Sequence, residues 1–255
     1  MIEFLENLAR SAGDESLRYF GKLNDSEIFG KATSKDLVSI ADKAVEDMIV
    51  SQISARFPDH DILGEETGHA GRKSEFLWII DPIDGTQSFV KAHPYYSISI
   101  ALYKDGKPYA AAVNGAAIGR LFCAQAGQGA YENGRRIRVS DCNVLGEAAC
   151  ATGFSSLRFN KVDDALAKFV RILPRLRDIK RCGSAALDLA MTAAGIYDGY
   201  WEECLQLYDV AAGAMIVTEA GGIVNDFQGG DDYPAKGIVA GNKFIAPALT
   251  ELLKN

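Results

Sequence analysis

Histidine is scarce in this 255-residue chain: only His60, His69 and His93 occur, and none has a partner in a triad-like pattern of nucleophile and base. Five cysteines (Cys123, Cys142, Cys150, Cys182, Cys204) form no Cys-x-x-Cys pair, and nothing stands at zinc-finger spacing. An odd number of scattered cysteines suits a reducing compartment. No apolar run approaches the ~20 residues of a membrane span. The opening Met-Ile-Glu-Phe-Leu-Glu carries acid where a secretion signal wants a basic start. The expectation is a cytoplasmic protein without membrane contact. Basic surplus is missing too: 34 acidic side chains face 27 basic ones, a net charge of -7. That balance argues against non-specific binding to nucleic acid or anionic lipid and is compatible with a cation site.

Proline is also sparse, at 7 beside 25 glycines, and 48% hydrophobic with 24% charged residues excludes collagen-like, disordered and disulfide-scaffold classes. Repeats, low-complexity tracts and linkers are absent. One domain over 1–255 is therefore expected, with an internal seam near 141–147 between an N-terminal α+β half and a C-terminal α/β half.

Helical periodicity places Phe4, Leu5, Leu8 and Ala12 on one face of a first helix, Ile2 to Phe20. A second helix is expected from about Leu37 to Phe57, ended by Pro58. From Ile62 the period changes to two, and turn signals at Asp105-Gly106 and Asn133-Gly134 predict hairpins in a mostly antiparallel sheet. The last hundred residues alternate, with helices at Val162–Leu173, Ser184–Ala194, Tyr208–Ala220 and Ile245–Lys254. Strands are expected near Asp178–Arg181, Asp198–Glu202 and Gly222–Asp226. The fold class is α/β in the layered α+β sense, alternating helices with two mixed sheets.

Acidic residues cluster where strands end: Gly64-Glu65-Glu66-Thr67 after Ile62-Leu63, Asp81-Pro82-Ile83-Asp84-Gly85-Thr86 after Trp78–Ile80, and Glu202 ahead of Asp209. Pro82 biases Asp81 toward extended geometry, and the turn that follows lets Asp81, Asp84 and the Ile83 carbonyl converge. Gly85 permits close ligand approach, and Thr86 opens a helix whose N–H groups favour an anion. Hard oxygens beside an anion cradle suit Mg²⁺ bound to a phosphate. Alone, the same pattern more often marks nothing beyond a turn capped by Asp84 and Thr86.

The combination resembles the inositol monophosphatase family of metal-dependent phosphatases. Gly64-Glu65-Glu66 is similar to its first motif, Trp78–Thr86 with Phe89 to its second, and Tyr208-Asp209-Val210-Ala211-Ala212-Gly213 leading to Glu219-Ala220-Gly221-Gly222 to its third. The resemblance runs from Lys31 to the last helix and implies that family's layered fold. It implies Glu65, Asp81, Asp84 and Asp209 as side-chain ligands of two or three Mg²⁺ ions, with the Ile83 carbonyl as a backbone ligand. Thr86 and Glu65 then orient the attacking water, and Asp42 matches an acid that holds a metal-bound water. Lys31 matches a mobile-loop lysine. Gly85 and Thr86 receive phosphate oxygens, while Gly183-Ser184-Ala185 and Glu202 meet the polyol. Lithium sensitivity and a homodimer are implied as well.

The expected substrate is a phosphate monoester, with inositol 1-phosphate ahead of histidinol phosphate and fructose 1,6-bisphosphate. Two departures bear on this: Tyr208-Asp209 stands where the family often has Trp-Asp, and Glu202-Glu203-Cys204 is more acidic than in many relatives. Nucleic acid is not an expected partner. Arg135-Arg136-Ile137-Arg138 is nonetheless a local basic patch, and an interaction module binding protein or RNA is the alternative of another class.

Overall fold

The computed structural model describes residues 1–30, 37–159 and 161–254. Helix α1 (Ile2–Tyr19) is followed by the antiparallel pair β1 (Ile28–Gly30) and β2 (Leu37–Ser39), and then by α2 (Ile40–Arg56). The helix expected from Leu37 thus begins three residues later. Ser39 explains the shift, because its hydroxyl accepts from Ala41 N while its own N–H donates to Asp42, a reciprocal cap that starts α2 at Ile40.

Strands β3 (Asp61–Gly64), β4 (Gly68–His69), β5 (Phe76–Asp84), β6 (Ser97–Lys104), β7 (Lys107–Gly115), β8 (Arg120–Gln125), β9 (Gly129–Glu132) and β10 (Arg135–Ile137) form the first sheet. Their order is β10-β9-β8-β7-β6-β5-β3-β4, and only the β3–β5 pair is parallel. Asp105 and Gly106, like Asn133 and Gly134, all have positive φ, as two-residue hairpin turns require. Helix α3 (Thr86–Val90) leaves the end of β5.

Beyond 141–147 come β11 (Ala149–Thr152), α4 (Val162–Ile172), β12 (Asp178–Lys180), α5 (Ala185–Ala193), β13 (Gly199–Glu202), α6 (Leu207–Glu219), β14 (Ile223–Asn225), β15 (Ile238–Gly241) and α7 (Ile245–Leu253). Their five strands make a second mixed sheet in the order β12-β11-β13-β15-β14. The expected layering of helices with two mixed sheets is what the chain adopts.

Side-chain alternation decides how the layers stack. Trp78 and Ile80 on β5 point to the outer face, where Leu5 and Leu8 of α1 and Val45 and Ile49 of α2 cover them. Ile79, between them, points inward with Val113 and Phe122 onto α5 and α6. These two helices are buried on both sides, which is why they are apolar nearly all round. Their far side meets Tyr200, Ile238 and Ala240 of the second sheet. Helix α7 closes the stack with Ile245 and Leu249 against Trp201 and Val239. Among the described residues, no helix is long and apolar enough to cross a membrane.

Candidate active site

Two aspartates three residues apart on a regular strand point to opposite faces. In β5 they do not, because Asp81 pairs with Ser99 and Asp84 with Ser97, so three steps on β5 match two on β6. The extra residue is a bulge at Pro82-Ile83, where a proline with no N–H to offer is tolerated. Asp81 Oδ1 accepts from Ile83 N at 3.0 Å and stabilises the turn. Asp81 and Asp84 are thereby aimed at the same point.

Asp209 reaches that point from the first turn of α6, where it caps the helix by accepting from Gln206 N at 2.6 Å. One carboxylate oxygen from each of Asp81, Asp84 and Asp209 lies within 4.8 Å of the others, and all three residues are buried. Glu65 follows β3 and hydrogen-bonds the Asp81 carboxyl. Its turn is held from below by buried Glu46, which accepts from Glu66 N at 3.0 Å and Thr67 N at 2.7 Å.

Burial, then repulsion from Glu65, Asp84 and Asp209, pushes the Asp81 carboxyl well above the usual carboxylate range. Burial likewise raises Asp209 well above it, with the Asp84 charge adding to the shift. Asp84 is raised to about 6 by burial, although Ser184 and Ala186 donate to it. So many buried carboxylates, outnumbering the one Arg158 charge that bears on Asp84 and Asp209, are costly unless a cation joins them. Hard oxygen donors without a thiolate or imidazole fit a divalent cation of the Mg²⁺ kind.

Thr86 is buried at the start of α3. Its hydroxyl lies 3.2 Å from Asp42 Oδ1 and 3.1 Å from the Ile83 carbonyl, both acceptors. Asp42 is fixed in turn by Ser39, whose hydroxyl and N–H donate to Oδ2 at 2.6 and 2.8 Å. Burial lifts Asp42 to about 6 against those two hydrogen bonds. Gly85 has φ +95°, and a Cβ there would stand 2.8 Å from the Gly183 carbonyl, so only glycine lets the two backbones meet.

A cavity of about 510 Å³ opens over these groups, bordered by Asp84, Gly85, Gly183, Ala185, Glu202 and Asp209. Ser184, expected at the substrate, is instead buried beneath it: its hydroxyl donates to Asp84 Oδ2 at 2.6 Å and caps α5. Lys31 lies outside the described residues. Arg158 and Arg181 also border the cavity, and Arg158 draws the Asp84 and Asp209 carboxyls downward. Sequence reasoning passed over both arginines and Glu46, since no local pattern marks residues that tertiary packing brings to a site.

The whole chain, residues 1–255, matches the sequence profile described as the inositol monophosphatase family. The chain belongs to the inositol monophosphatase family. That membership makes it a phosphoric monoester hydrolase of the metal-dependent type, and the acidic cluster is in keeping with it. Within the inositol monophosphatase family it is 36% identical over 256 residues to the inositol-1-monophosphatase of Mesorhizobium japonicum, covering 100% of this chain and 96% of that one. It is 40% identical over 256 residues to a Pseudomonas aeruginosa protein named Nus factor SuhB, covering 98% and 94% of the two chains. The solved structure of the extragenic suppressor protein SuhB from Bartonella henselae superposes with a TM-score of 0.94 at 36% identity, over 99% of this chain and 98% of that one.

Proposed function

We propose that this phosphatase hydrolyses a small polyol or sugar phosphate, with inositol 1-phosphate ahead of histidinol phosphate and fructose 1,6-bisphosphate. The observation that carries the proposal is the convergence of Asp81, Asp84 and Asp209, three buried, mutually repelling carboxylates under an open cavity. In this reading they hold two or three Mg²⁺ ions together with Glu65 and the Ile83 carbonyl. Bound there, the ions would neutralise the phosphate, lower the pKa of bound water and stabilise the departing alkoxide.

The chain's own groups do the rest. Thr86 gives its proton to Asp42 or the Ile83 carbonyl, so its lone pairs are left to accept from the attacking water. Glu65 is the base that takes the water's proton. The backbone at Gly85 and Thr86 receives phosphate oxygens, and Gly183 and Ala185 border the space for the alcohol. A homodimer in the cytoplasm belongs to the same reading, and sedimentation of the purified protein tests the first part.

The deciding experiment is phosphate release from the three esters in Mg²⁺ and in excess chelator. Full activity in chelator would overturn the metal reading, and the ranking of kcat/KM names the substrate. Lithium should inhibit at limiting Mg²⁺, and unchanged turnover in tens of millimolar Li⁺, about a hundredfold above a submillimolar site, counts against that. The names of relatives such as the 40% identical Nus factor SuhB favour a second reading, in which the chain also docks on a macromolecule. Pull-down with a metal-site variant separates docking from catalysis.

A further inference from the structure

A fully buried glutamate is costly to keep, and Glu46 on α2 has no part in the catalytic reading above. Its carboxylate is instead shared between two backbone donors: Oε2 accepts from Glu66 N at 3.0 Å and Oε1 from Thr67 N at 2.7 Å. Both donors belong to the turn between β3 and β4 that begins with Glu65. Successive N–H groups of a turn form a small concavity suited to an anion, and here the anion is a side chain of the protein itself. Gly64, just before the turn, leaves the room for it. A Cβ there would overlap the Glu46 carboxylate and stand 2.8 Å from Thr67 Oγ1. Glu65 is held from the other side as well, because its own N–H donates to the Ile80 carbonyl of β5 at 3.1 Å. Strand β4 is only two residues long, so strand pairing alone holds this turn weakly.

Asp42 stands one helical turn before Glu46 on the same face of α2. It accepts from the Thr86 hydroxyl at 3.2 Å, and Glu65 and Glu66 are near enough for their charges to act on it. Val45 and Ile49 pack α2 onto Trp78 and Ile80 of β5. Both carboxylates are therefore carried by a helix that is itself fixed to the strand of Asp81 and Asp84. One helix face thus reaches the two groups to which the phosphatase reading assigns the attacking water: Thr86 through Asp42, and Glu65 through Glu46.

We propose that Glu46 is a positioning residue: it fixes the Glu65 turn to α2, and with Asp42 it sets Glu65 and Thr86 at one separation across the attacking water. This rests on the phosphatase reading. The contacts of Glu46 with the turn are to backbone groups, so it acts through where Glu65 stands and not through any contact with the ester. A carboxylate suits the task better than an amide, because both of its oxygens face N–H donors and a glutamine would turn its NH₂ toward one of them.

The test uses Glu46→Gln, Glu46→Ala, Gly64→Ala, Glu65→Gln and the Glu46→Gln/Glu65→Gln double beside the wild type. Each is followed by kinetics on inositol 1-phosphate and on an aryl phosphate, by Mg²⁺ titration calorimetry and by thermal melts. On both esters kcat should fall about tenfold in Glu46→Gln and about a hundredfold in Glu46→Ala, with KM little changed. Gly64→Ala displaces the carboxylate without removing it and should also lower kcat; it carries the test if Glu46→Ala does not fold. Glu46→Gln should bind Mg²⁺ about tenfold more weakly, since Glu65 is among the proposed ligands. The double variant should be no slower, and bind Mg²⁺ no more weakly, than Glu65→Gln alone, because it misplaces a group already disabled. Losses that multiply in the double variant, a change confined to KM, or a lowered melting temperature with full kcat would overturn the proposal. A wild-type protein that hydrolyses neither ester overturns the phosphatase reading instead. The Mg²⁺ titrations of the two single variants and the double then still decide whether Glu46 sets Glu65.

Discussion

Asp84 serves two neighbours at once. Its Oδ2 accepts from Ser184 Oγ and from Ala186 N at the start of α5, while the carboxylate also belongs to the acidic cluster. Replacing it by asparagine keeps an acceptor for α5 but removes a negative charge from the cluster. Asp84→Asn should therefore lower phosphatase activity by at least ~100-fold and raise the melting temperature of the protein in chelator. A fall in both would show that Asp84 is structural alone. His60 gives a second case, far from the cavity. Its ring stacks on Phe57 and Phe76 at 4.7 and 4.4 Å, and its Nδ1 accepts from Trp78 Nε1 at 3.0 Å. Burial lowers its pKa below the usual 6.5. The unfolded chain then binds the proton first, so this stabilisation is whole above pH 6.5 and fades as pH falls through the lowered folded value. Thermal melts from pH 7.5 to 5 should show a shallower acid loss in His60→Gln than in wild type; parallel curves would remove His60 from the account.

At the scale of elements, the site depends on a bulge in β5 and on the start of α5. Ser184→Ala removes both the cap of α5, which accepts from Leu187 N at 3.3 Å, and a donor to Asp84. A lost cap costs about 1 kcal/mol, or roughly 2–4 °C in a protein of this size. The same variant should bind Mg²⁺ less tightly by titration calorimetry, because Asp84 is freer to turn. An unchanged metal affinity would separate the cap from the site. Helices such as α5 and α6 were legible in the sequence to within a residue or two, since apolar periodicity and Ser184 mark them. The hairpins at Asp105-Gly106 and Asn133-Gly134 were legible because positive φ at both positions restricts the residue choice. Strands β11 and β15 were not, being four residues each and defined by partners distant in the chain. The acidic motifs stood out at the ends of strands, and their meaning as a site came from the resemblance of the three together to one family. Glu46 and Arg158 could not stand out, because an isolated charge acquires its place only when packing brings another element to it.

On the scale of the whole molecule, the carboxylates come from both sheets' worth of chain: Glu65, Asp81 and Asp84 from the first sheet, Asp209 from a helix clamped between the two. Cation binding should therefore stabilise the protein as a unit. At a Mg²⁺ concentration of about 100 Kd the gain is ~2.7 kcal/mol, seen as a rise of roughly 5–10 °C over the chelated protein. Asp209→Asn should abolish that rise; if it persists, the ions sit elsewhere. The run of neighbouring strands from β5 to β10 is finished by Ile137, long before Asp209. As a chain emerges from a ribosome with its N-terminal part first, that meander can close on itself while the pocket's last acid is still unmade. Growing chains would thus hold a finished sheet and an unfinished catalyst, and hydrolysis would begin only once α6 has slid into the space between the layers.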